Sequence, residues 1–183
     1  MFAAAAIFAA SLAVGAQTTK LETGCSTDES RRLAFLEGDW KVESRFRISS
    51  RPEKWETTEA VSNISPVFPG CLWEEAFEGI REGEAIRIVS LYGFSNVSNR
   101  FQHTWAHSQH GMLTNYEGRF ENGVLTFETT ISILILELRL RKVIRRNRSG
   151  FEVRSARSTD NGKTWDETWV LTYRGPDTRS RIG

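Results

Sequence analysis

The chain has 183 residues and a formal net charge of +1, with 24 Lys and Arg against 23 Asp and Glu. One domain of this size buries a core without metals or many disulfides, and a near-zero charge gives no bulk attraction to nucleic acid or to an anionic bilayer. Aromatic residues make up 11% and six of them are Trp, the bulk that fills or lines a small barrel.

Residues 1–16 are almost wholly apolar and small, ending Val14-Gly15-Ala16. The run is too short to span a bilayer and reads as a signal peptide cut after Ala16, although its first residues hold no Lys or Arg. It implies a secreted or periplasmic protein. Residues 17–25 read as a disordered N-terminal segment. Cys25 lies far from the apolar run and follows Glu22, which argues against a lipid anchor. In an oxidising compartment Cys25 and Cys71 either bridge or stay as two buried thiols.

Ser26 is placed to cap a short helix, with Glu29 three residues on completing a capping box. Leu33 and Leu36 give the helix an apolar edge, and Gly38 ends it. Gly38 and Trp40 are two apart and share a face in extended chain. The glycine leaves space, and Trp40 is expected to swing inward as the floor of a closed sheet. From Trp40 the period is two: Trp40, Val42, Phe46 and Ile48 face one way, and Lys41, Glu43, Arg45 and Arg47 the other.

Strands are expected at residues 55–64, 71–77, 85–94, 101–108, 112–121 and 124–131, then along one continuous β-branched run, 133–144. Two more follow at 151–158 and 168–173. Asn122-Gly123 is the strongest hairpin signal, because both central residues of a type I′ turn need positive φ. The connections are too short for crossover helices, so neighbours are antiparallel. The fold class is therefore all-β: an antiparallel up-and-down barrel of about 8–10 strands with a short N-terminal helix. It occupies residues 26–175, with 176–183 as a tail.

Four stretches are candidates for chemistry. His103, Trp105 and His107 share a strand face, and His110 can fold back over the turn. Three imidazoles suit zinc, and one can ligate haem. However, His103 and His107 lie roughly 13 Å apart along a strand, too far for one ion. Ser158-Thr159-Asp160-Asn161-Gly162-Lys163-Thr164-Trp165 fits an Asp-box hairpin. Asp160 accepts backbone N–H groups, Gly162 takes positive φ and Trp165 packs beneath. Glu75 sits between Trp73 and Phe77 on an apolar face; an irregular strand that leaves it exposed is favoured over a buried base or ligand anchor. The basic run Arg139, Arg141, Lys142, Arg145, Arg146 and Arg148 reads as a solvated face, set against the acidic hairpin around Glu78 to Glu84. No nucleophile elbow, phosphate loop, dinucleotide fingerprint or paired-cysteine metal site occurs.

Phe35-Leu36-Glu37-Gly38-Asp39-Trp40 resembles the Gly-x-Trp opening of lipocalin-like (calycin) barrels. With Pro69-Gly70, Leu91-Tyr92-Gly93-Phe94, the stretch 101–108 around Trp105, and 158–165 followed by Tyr173-Arg174, the chain resembles an uncharacterised bacterial family of that type, a domain of unknown function. The resemblance covers residues 33–174 and implies a fold but no settled activity. It also implies that Arg174, ending the last strand, stacks on Trp40 where the barrel closes.

The expected function is binding of a small hydrophobic molecule, without catalysis, at inward residues Trp73, Tyr92, His103, Trp105, Tyr116 and Phe127. No catalytic residue, metal, cofactor, nucleic-acid partner or membrane span is expected, and the oligomeric state is left open. The alternatives are an enzyme acting on a small apolar substrate inside the barrel, with Glu75 or His103 as base, and a histidine-based metal- or haem-binding protein.

Overall fold

The structure, a computed structural model, describes residues 24–175. The expected signal peptide, most of the expected disordered segment, and the tail lie outside the described residues. Gly24 and Cys25, the last residues of that segment, form a turn.

Helix α1 (Asp28–Arg31) runs into a 3-10 turn, Arg32–Leu36. Its cap is Thr27, not Ser26: the Thr27 hydroxyl accepts from the Ser30 amide, and the Ser30 hydroxyl accepts from the Thr27 amide. Ser30 also donates to the Gly70 carbonyl at 2.6 Å, which ties the helix to the loop before the third strand. Cys25 and Cys71 are disulfide-bonded across the same corner, 46 residues apart in sequence. Closing a loop of that length stabilises the fold by roughly 4 kcal/mol on the chain-entropy estimate.

Ten strands follow: β1 (Gly38–Ser50), β2 (Glu53–Phe68), β3 (Leu72–Arg81), β4 (Glu84–Ser95) and β5 (Arg100–His107), then β6 (Leu113–Glu121), β7 (Val124–Ile133), β8 (Leu136–Asn147), β9 (Gly150–Ser158) and β10 (Asp166–Arg174). Each pairs antiparallel with the next, and β1 pairs with β10, so the sheet is a closed barrel with no free edge. This is the expected fold class.

One end is closed by the helix. Leu33 and Leu36 are fully buried there, and the Trp40 indole donates to the Leu36 carbonyl at 2.9 Å. Trp40 stands edge-on to Phe151, with ring centroids 5.0 Å apart. It is half-buried, so the floor is shared with the two leucines. Gly38 enters β1 at φ +146°, a conformation that side chains rarely adopt. Gly150, at φ +155°, leaves no room for a Cβ against the Trp40 ring.

Three further expectations need correction. The run 133–144 is not one strand: β7 ends at Ile133 and turns at Leu134-Ile135, with Leu134 at φ +55°. No Gly, Asn or Pro marks that turn. Arg174 does not stack on Trp40. It pairs in register with Lys41, so it shares the outer face with Lys41 while Trp40 points inward. Its guanidinium binds Glu43 at 3.3 Å. The basic run does not meet the acidic hairpin, because β8 lies between β7 and β9; Arg139 instead pairs with Glu128 at 3.0 Å.

Candidate functional site: the barrel cavity

Above the floor, towards the open end, the barrel holds a cavity of about 660 Å³. Alternation decides what lines it, because every second residue of each strand points inward. From β3 come Glu75, Phe77 and Arg81, from β4 Ile88, Ser90 and Tyr92, and from β5 and β6 Trp105, His107 and Tyr116. The far wall carries Leu138, Leu140 and Lys142 of β8 with Trp169 and Leu171 of β10.

Glu75 is buried rather than exposed, with 3% of its surface accessible. β3 is regular, so Glu75 keeps the inward parity of Trp73 and Phe77, which are also buried. Three hydroxyl groups from three strands compensate its burial. Ser62 of β2 donates to Oε1 at 2.9 Å, Tyr173 of β10 donates to the same oxygen at 2.7 Å, and Tyr92 of β4 donates to Oε2 at 2.8 Å. Burial, then the Glu75 charge, pushes both tyrosines well above the ordinary phenol range, so they remain neutral donors.

Lys142 of β8 also points inward. Its Nζ lies 4.1 Å from the centre of the Trp105 ring and 5.1 Å from that of Tyr116. Burial brings its pKa down to about 7, against the opposing attraction of Glu75. Burial also pushes Tyr116 up to about 12. Lys142 belongs to the run expected to be solvated, yet it has the parity of Leu138, Leu140 and the buried Ile144. That parity was the available signal, and the density of charge around it hid it.

Of the six expected binding residues, Tyr92, Trp105 and Tyr116 line the cavity. Trp73 and Phe127 are buried in the core beneath it, and the Trp73 indole donates to Glu37 at 3.3 Å. His103 is buried between Tyr92, at a stacked 4.5 Å, and Tyr116 at 5.3 Å. Neither of its ring nitrogens has a hydrogen-bond partner, and burial, with Lys142 nearby, holds its pKa well below the ordinary histidine range.

His110 folds back onto His107, with centroids 5.1 Å apart. Among the described residues no group of three His, Cys, Asp or Glu side chains is placed to hold a metal ion. The Asp-box hairpin forms at the open rim. Asp160 accepts from Ser158, from the Thr164 amide and from the Thr164 hydroxyl, and Gly162 has φ +85°. The Thr164 bonds, hydroxyl first, draw the Asp160 carboxyl down to about 2. Trp165 lies under the Arg141 guanidinium, 4.0 Å from its ring centre. The hairpin is a local structural unit at the rim.

No curated protein matches this chain. Over residues 26–174, nearly the whole barrel, the chain fits, and therefore belongs to, the family described as Protein of unknown function (DUF1579).

Proposed function

We propose that this protein is an exported, lipocalin-like carrier that holds one small, largely hydrophobic molecule inside the barrel and does no chemistry on it. The observation that carries the reading is the cavity itself. About 660 Å³ is bounded by aromatic and aliphatic side chains interleaved with polar and charged ones, and a concave site of that size with apolar walls and convergent polar groups suits a small molecule. Glu75 suits an architectural role better than that of a base, because three hydroxyl donors already occupy its oxygens. Export is supported by the Cys25–Cys71 disulfide, which needs an oxidising compartment, and by the apolar run at residues 1–16.

Native mass spectrometry of protein purified without detergent tests the reading. The expected result is a folded species heavier than the chain by one small molecule, which is released on denaturation. Bare protein that also takes up no decan-1-ol when it is offered would remove the proposal.

A further inference from the structure

The charges on the cavity wall do not balance. Arg47, Arg81, Arg141, Lys142 and Arg157 line it, against Glu75 as the one carboxylate. Glu75 is already served by hydroxyl donors, and Lys142 rests on ring faces rather than on an acid. Arg81 Nε is buried without a hydrogen-bond acceptor. Its nearest carboxylate oxygen, on Glu82, is 3.8 Å away, and its guanidinium lies over the Phe46 and Trp169 rings at 5.5 and 5.8 Å.

His107 supplies the second independent sign. It is 3% exposed. Its Nδ1 accepts from the Gln109 amide at 3.1 Å, so in the neutral ring the proton sits on Nε2. Nε2 is buried with no acceptor. The ring is held neutral at pH 7, its pKa brought down to about 4 by burial and by the nearby charges of His110, Arg81 and Lys142. Arg81 and His107 both lie against the Trp169 ring, and Lys142 and His107 both against the Trp105 ring, so the two cations flank a neutral N–H donor on the inner wall of the barrel. A buried donor such as His107 Nε2 or Arg81 Nε is costly unless something accepts from it, even where the rest of the side chain is only partly buried.

We infer that the molecule held in the barrel carries an oxyanion headgroup, seated against Arg81, His107 and Lys142, with its apolar tail between the aromatic walls. The inference rests on the carrier reading and specifies its ligand class. Arg81 supplies charge, Lys142 adds to it in its protonated form, which a bound anion favours, and His107 Nε2 supplies a fixed hydrogen bond to one oxygen. Carboxylates and sulfate or phosphate esters share this chemistry.

Isothermal titration with ligands of one tail and different heads tests it: decanoate, decyl sulfate, decan-1-ol and decyltrimethylammonium. At least one of the two anions should bind about tenfold or more tightly than the alcohol, as expected of hydrogen bonds to a charged group. The ammonium should bind most weakly, and the anion with the larger margin identifies the kind of head. Lys142→Met and Arg81→Met should each remove most of the anion's advantage and leave decan-1-ol binding in place, which also reports that the variant is folded. If a variant does not fold, the four ligands on the unaltered protein decide alone. Equal binding of anions and alcohol overturns the anionic head and leaves the carrier reading intact. Binding of none of the four, with bare protein in native mass spectra, overturns both.

Discussion

Glu75 joins four strands through one side chain. It belongs to β3 and receives hydroxyl donors from β2, β4 and β10, which makes it a polar cross-brace inside the barrel. A hydrogen bond to a charged group contributes about 1.5–3 kcal/mol. Tyr173→Phe removes one such bond without changing the ring's packing on Phe151, 4.2 Å away. Urea denaturation should therefore show a loss in that range, and an unchanged midpoint would mean that the brace is idle. Lys142 provides a pH test. Its folded pKa, about 7, is depressed by burial from 10.5. The unfolded chain then binds more protons than the folded one between those values, so stability should rise with pH across that window. The groups facing Lys142 are Glu75 of β3, His103, Trp105 and His107 of β5 and Tyr116 of β6. In Lys142→Met the rise should disappear, and the variant should be the more stable protein at pH 6 to 7. Parallel stability curves for the two proteins between about pH 7 and 9 would contradict this.

Among the elements, the hairpins differ in how plainly the sequence announces them. Asn122-Gly123 and the Asp-box stretch carry residues that tolerate positive φ, and both turns form: Asn122 has φ +50°, Gly123 +77° and Gly162 +85°. The β7–β8 turn has no such residue. Leu134 adopts φ +55° while 98% exposed, so local preference is overridden by the pairing of the strands on either side. The hydrophobic alternation also runs through the turn, and no polar break marks its position. A left-handed Leu costs roughly 1–2 kcal/mol. Leu134→Gly should relieve that strain and lose no packing, although a glycine adds unfolded-state entropy of roughly 0.5–1 kcal/mol. A thermal melt should show Leu134→Gly as stable as the parent or more so, by up to about 1.5 kcal/mol. Clear destabilisation would mean that the leucine packs against something.

For the whole molecule, period-two alternation and short connections were enough to read a closed antiparallel barrel, because both follow from strand geometry alone. The inner wall was only partly legible. Tyr92, Trp105 and Tyr116 follow from parity and bulk, and the cavity receives them. Glu75 and Lys142 obey the same parity, but a charged residue inside a barrel is stable only with partners from strands distant in sequence. Tyr173 lies 98 residues from Glu75, and no local pattern reveals such a pair. Trp40 and Arg174 fail for the converse reason: both lie at the closure, but register places them on opposite faces.

The open rim supplies the competing site for an apolar molecule. Leu134 and Ile135 are fully exposed there and Leu113 largely so. A decyl chain carrying a diazirine at its tail end separates the two sites. After irradiation and digestion, a ligand held in the barrel leaves adducts on inward residues of the cavity wall, Tyr116, Leu140 or Trp169, that unlabelled ligand suppresses. Adducts confined to Met112-Leu113 and Leu134-Ile135 would contradict binding inside the barrel.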